Sequence, residues 1–262
     1  MNADESIKAH QYAAAISMCR AELEKEPDNI YTKNELSTAL FANGDYVEAI
    51  ALLIESGNRA KAQRHTPGNP GNDDKISVCQ WCLGNRDEAI RLMKGLCAGI
   101  LNGKIQYSSS TGGGEQGLLL HYMATTTQDD ELRQYAFDYM KKVITQQAKY
   151  LPHRQILDLG WPIPLMAFVL GEAPYSQVTK FATSSRMHTK ETTEDAVEAR
   201  LIANTDLMTR RRLTNVYLQE ATLARANGDE EGCVAKMREC YELENPIIES
   251  SWYVARYEMT GK

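Results

Sequence analysis

The sequence predicts an all-α fold of stacked antiparallel helix pairs. Three observations predict it. A helix–turn–helix unit recurs at an offset of 34 residues. Each copy carries a turn glycine at the same place. No segment sustains the two-residue apolar–polar alternation of a half-buried strand. With 262 residues, 43% of them hydrophobic, the chain has enough apolar material for one large core or a continuous helical array.

The first unit sets the pattern. Tyr12-Ala13-Ala14-Ala15-Ile16 returns as Tyr46-Val47-Glu48-Ala49-Ile50. Glu26-Pro27-Asp28 stops one helix and starts the next, and Ile30 to Ala42 reads as helical. Asn43-Gly44-Asp45 is then a turn: Gly44 takes the left-handed backbone that ends a helix, and Asp45 caps the following one. The second copy runs from Lys75 to Leu83, turns at Gly84-Asn85, and resumes at Arg86 to Ile90, so Ala89 stands where Ala49 stood. Its spacing is stretched to 40 by a loop insertion, His65 to Asn72. Near the C-terminus Val216 to Ala226 precedes Asn227-Gly228-Asp229, and Cys233 takes the place of Ala49.

These units resemble the tetratricopeptide repeat (TPR) family. The shared features are small residues midway along helix A (Ser37, Ser77, Ala221), the turn glycines, and small residues early in helix B (Ala15, Ala49, Ala89, Cys233). Two helix axes approach closely only where both present small side chains. Glu220 departs from the pattern, because it occupies a position that is usually apolar. The resemblance implies a curved superhelix with an irregular central helical section. The expected organisation is one domain over 1–262, with repeat units at about 4–65, 73–101 and 207–260 and a divergent helical middle at 102–206.

In that middle, Gln116 to Thr127 reads as an apolar helix. Asp129 to Ala148 is amphipathic, with Leu132, Tyr135, Ala136, Tyr139, Met140 and Val143 on one stripe. Pro162 and Pro164 fit a helix start and Gly171 its end. Further helices are expected at about Tyr175 to Thr183 and Glu191 to Asn204.

Charge and targeting signals narrow the class of function. Lys plus Arg total 29 against 35 Asp plus Glu, a formal net charge of −6. Nucleic-acid binding needs Lys and Arg to displace phosphate counterions, so an acidic chain suits a basic protein partner better. The N-terminus, Met1 to Glu5, has no basic or apolar signal region, and the apolar stretch Trp161 to Leu170 is about half a membrane span. The six cysteines fall mostly on apolar helix faces, as reduced residues do, which places the protein in the cytoplasm.

Possible chemical sites read as structural ones. Gly112, Gly114 and Gly117 make a literal GxGxxG, but Gln106 to Ser110 before it do not form a convincing strand and no P-loop Lys follows. A loop before a helix is the simpler reading, with Gly117 allowing close helix packing. Cys79 and Cys82 form a CxxC with no second pair or suitably spaced His, so packing is favoured over a metal. Asp129, Asp130 and Glu131 open a helix, where carboxylates offset its dipole. Arg210-Arg211-Arg212 is a basic cluster near an expected helix start, too small for a nucleic-acid site. No catalytic, cofactor or metal set converges, and no enzymatic activity is expected.

The TPR resemblance implies that helix A of each unit lines a concave groove. Phe41 and Trp81 each lie three residues before a turn glycine, and either face that groove or pack between units. On the same alignment Asn34, Thr38 and Asp74 point into the groove, so Asn34, Thr38, Phe41, Asp74 and Trp81 are the candidate partner-binding residues. A chaperone-type carboxylate clamp is doubtful, because Asp73 and Asp74 stand in the second unit.

The stretch from Gly112 to Val143, the Trp161-Pro162-Ile163-Pro164 segment and the C-terminal run from Leu223 to Met259 resemble TPR proteins encoded beside bacterial Rhs-type polymorphic toxins. That resemblance implies an immunity protein, monomeric when free, that binds and neutralises a cognate toxin domain, a nuclease or an ADP-ribosyltransferase. A general TPR adaptor or co-chaperone is the alternative.

Overall fold

The computed structural model describes residues 2–64, 70–105, 113–150, 161–182, 194–243 and 249–262. They form helices throughout, with no strand among the described residues. The helices are α1 (Ala3–Lys8), α2 (Tyr12–Lys25), α3 (Ile30–Asn43), α4 (Tyr46–Arg64), α5 (Pro70–Cys82), α6 (Arg86–Leu101) and α7 (Gly114–Thr127). They continue with α8 (Asp130–Tyr150), α9 (Ile163–Val169), α10 (Tyr175–Ala182), α11 (Glu194–Ala226), α12 (Glu230–Tyr241) and α13 (Ser250–Thr260). Adjacent helices pack in pairs: α2 on α3, α3 on α4, α4 on α5, α5 on α6, α7 on α8 and α11 on α12. No helix among the described residues is long and apolar enough to cross a membrane.

The turns form as their residues dictate. Gly44, Gly84 and Gly228 all adopt positive φ, at 93°, 82° and 76°. The Gly44 N–H donates back to the carbonyls of Leu40 and Phe41, closing α3. Asp229 caps α12 by accepting from the Gly232 N–H at 2.8 Å, and Asp129 does the same for α8 through the Leu132 N–H at 2.9 Å. Asp45 instead accepts from the Asn43 side chain at 2.7 Å.

The small residues sit where close approach requires them. Ala15, Ala49, Ala89 and Cys233 are fully buried, as are Ser77 and Ala221. Ser77 Oγ donates to the Ala89 carbonyl at 2.7 Å, joining the midpoint of α5 to the first turns of α6. Glu220 is accommodated by Lys236, whose Nζ lies 3.5 Å from its carboxylate. Gly117 is a close-packing site: a Cβ there would lie 2.6 Å from Met140 Cγ and 2.9 Å from Tyr139 Cδ1 of α8.

Three sequence boundaries shift. Pro70, Gly71 and Asn72 begin α5 rather than ending the loop; proline tolerates the first helical turn, where its missing N–H has no partner to lose. His65 to Asn69 lie outside the described residues, as do Gln106 to Gly112, Thr183 and Glu191. The helix expected at Glu191 to Asn204 and the one before Gly228 are a single helix, α11, of 33 residues. No Gly or Pro interrupts it, so the expected boundary at 206/207 falls inside one rod and Arg210 to Arg212 are mid-helix.

Two helices form the centre. Every residue of α7 from Gly114 to Thr125 is buried, against α8, α6, α9 and α11. Ser250 to Arg256 of α13 are likewise all buried. Helix α13 packs on α11 and α12 and also on α5, so the C-terminal helix rests against the first units of the chain.

Candidate protein-binding surface

Helices α13 and α7 cover three of the predicted groove residues. Phe41 is 1% exposed, its ring stacked on Tyr253 of α13. Trp81 is fully buried; its Nε1–H donates to Tyr122 Oη at 3.3 Å, and the Arg86 guanidinium lies 3.8 Å from its ring centroid. Asp74 is buried and accepts from Ser250 Oγ of α13 at 3.0 Å. These three side chains therefore do not face an open groove. The expected exposure of Asp74 is corrected, and of the two readings of Phe41 and Trp81 packing is the one observed: α13 lies over Phe41 and Asp74, while α7 and α6 enclose Trp81. Asn34 is exposed and Thr38 half-buried, so these two remain on the surface. Asn34 Oδ1 accepts from Ser56 Oγ at 3.1 Å, tying α3 to the end of α4. Lys33 pairs with Glu55 at 2.7 Å beside it.

Two polar seams hold α13 in place. In the first, Ser250 meets Asp74, Ser251 Oγ donates to Asn215 Oδ1 at 2.8 Å, and Glu249 pairs with Arg211. Burial raises the Asp74 carboxyl to about 7, against the opposing pull of Lys75, the Ser250 hydrogen bond and the Lys75 N–H. Burial also raises Glu115 well above the usual carboxylate range, with the like charges of Glu249 and Asp74 adding to it. Among the described residues Glu115 Oε1 and Gln116 Oε1 meet no hydrogen-bond partner. In the second seam Tyr122 donates to Glu258, and Arg225 forks onto the same carboxylate, with Nη2 at 3.0 Å from Oε2. Burial pushes the Glu258 pKa up, but the hydrogen bonds from Arg225 and Tyr122 outweigh it and leave the group ionised more readily than usual.

The cysteines are interior packing groups. All six are buried. Burial raises the thiol of Cys79 well above its ordinary value and that of Cys82 to about 12. A thiol held protonated in this way is a weak nucleophile. Among the described residues no three His, Cys, Asp or Glu side chains are grouped to hold a metal ion.

The exposed apolar residues mark a different surface. Among the described residues eight large apolar side chains are exposed, and five of them, Met18, Ile30, Tyr31, Val47 and Ile54, lie on α2 to α4. Tyr31 is 83% exposed and Val47 71%. Tyr31, Asn34 and Thr38 follow helical spacing along one face of α3. The contacts Asn34–Ser56 and Lys33–Glu55 bring the Ile54 turn of α4 beside that face. Asn34 and Thr38, placed on this face by sequence spacing, are joined there by Tyr31, which the spacing did not single out.

No family model, no curated protein and no solved structure matches this chain.

Proposed function

We propose that this chain is a TPR-like protein-binding scaffold that docks its partner on the α3–α4 face. The carrying observation is Tyr31, an aromatic side chain 83% exposed, in line with Asn34 and Thr38 and near the exposed Ile54. Rigid aromatics with a polar tip are the commonest anchors of protein interfaces, and exposed apolar groups framed by polar ones are typical of binding surfaces. The resemblance to immunity proteins of Rhs-type toxin systems makes the partner a cognate toxin domain. The co-chaperone alternative fares worse, because it needs an open groove over α3 and α5, and α13 packs there.

Finding a toxin gene immediately upstream, and co-expressing its toxin domain with this chain, tests the reading. The chain restores growth of cells making that domain and co-purifies with it as a stoichiometric complex. Tyr31→Ala with Ile54→Ala weakens the complex at least tenfold while leaving the melting temperature unchanged. Full growth rescue by the double variant at limiting expression would remove the α3–α4 face from the interaction.

A further inference from the structure

Three buried carboxyl groups meet where the first turn of α13 enters the core. Asp74 of α5 is 5% exposed, Glu115 of α7 6% and Glu249 at the head of α13 3%. Asp74 takes hydrogen bonds from two uncharged donors, the Lys75 N–H at 2.8 Å and Ser250 Oγ at 3.0 Å. Glu115 Oε1 meets no donor among the described residues. Glu249 pairs with Arg211 of α11. Lys75 acts on Asp74 and Glu115 through space, and so does Arg211 on Glu115. Of these five groups three are acids and two are bases, so full ionisation leaves excess negative charge inside the protein. The far end of the same helix is built the opposite way: Arg225 and Tyr122 hold Glu258 as a carboxylate.

We propose that this junction is a proton-operated latch: α13 stays seated while Asp74 and Glu115 hold protons, and its first turns lift from α5 when the protons leave. A neutral carboxyl is buried at far lower cost than a carboxylate. Ionisation of Asp74 beside Glu115 and Glu249 sets like charges together and draws water into the seam. The seated helix thus binds protons that the lifted helix releases, so seating is favoured in acid and weakens as pH rises to about 7. The Glu258 end does not loosen over that range, because its carboxylate is already ionised and paired. Helix α13 therefore pivots on its last turns instead of leaving. Lifting bares Phe41, which stacks on Tyr253, and Cys240, whose Sγ lies 3.9 Å from the Ser251 carbonyl oxygen.

Amide hydrogen exchange on the full chain tests the latch, with protection at each pH taken relative to the unfolded chain. Global unfolding exposes every helix alike, so the informative quantity is the protection of Tyr253 to Arg256 divided by that of Met93 to Cys97 in α6. That ratio falls at least tenfold between pH 5 and pH 8. Asp74→Asn with Glu115→Gln, which keeps neutral groups of the same shape, holds the ratio within twofold over the same range. At pH 8 iodoacetamide alkylates Cys240 at least tenfold faster in the native chain than in that variant. The single variants, Asp74→Asn and Glu115→Gln, each reduce the fall and serve in its place if the double variant does not fold. A ratio that does not change with pH, an equal fall in the variants, or parallel loss from α6 and α13 would each overturn the proposal.

Discussion

The ring of Phe41 lies parallel to that of Tyr253, with centroids 3.7 Å apart and planes 4° apart. The stack joins α3 in the first unit to α13 at the end of the chain. It is flanked by Tyr46, edge-on to Phe41, and by Trp252, edge-on to Tyr253. Tyr253→Ala therefore removes both an aromatic contact and a buried volume, and lowers unfolding free energy by about 3–5 kcal/mol in urea titrations. A double-mutant cycle with Phe41→Ala isolates a coupling of about 0.5–1.5 kcal/mol. Additive losses would mean that the stack contributes nothing beyond burial.

The Asp74 carboxyl makes stability depend on pH. Its folded pKa, about 7, lies above the unfolded value, so the native state holds an extra proton between the two. Its contribution is present below the unfolded value and is lost as pH rises through 7. The chain is then more stable near pH 5 than near pH 8, by an amount on the order of a few kcal/mol. Asp74→Asn keeps an acceptor for Ser250 and flattens that dependence, gaining stability at pH 8. Parallel denaturation curves of both proteins at pH 5 and 8 test this; an unchanged pH difference in the variant would exclude Asp74 as its source. Asp74→Lys, acceptable on a solvent-facing position, instead places a cation in a buried site and lowers the melting temperature sharply.

Two glycines separate space from propensity. In α6 a Cβ at Gly95 meets nothing within 4 Å, so Gly95→Ala gains about 1 kcal/mol from helix propensity. In α7 the same change at Gly117 drives a methyl into Tyr139, whose hydroxyl is held by the Gly113 carbonyl at 2.7 Å. Gly117→Ala therefore costs about 1–3 kcal/mol despite the better propensity. Thermal melts of the two variants should move in opposite directions.

Arg225→Met leaves the Glu258 carboxylate and the Tyr122 hydroxyl without their cation. Glu258 loses the interaction that offsets its burial, and its pKa rises. The expected cost at pH 7 is about 2–4 kcal/mol, shrinking as pH falls and Glu258 takes up a proton. Chemical denaturation at pH 7 and 4.5 checks both the loss and its pH dependence.

Sequence alone determined the helices, their pairing and most of their ends, because those signals are local. Gly44, Gly84 and Gly228 need only their own backbone to terminate a helix, and Ala49, Ala89 and Ser77 need only their size to let two axes approach. The same reasoning located Asn34 and Thr38 on the surface of α3. What it could not supply was the neighbour that arrives from far along the chain. Asp74 meets Ser250 across 176 residues, and the same helix α13 covers Phe41. A groove position and a core position carry the same residue types at the same spacing; the difference is whether another helix lies over them. Only the tertiary structure decided that α13 lies over Phe41 and Asp74 and α7 over Trp81, while Tyr31 stays exposed on α3.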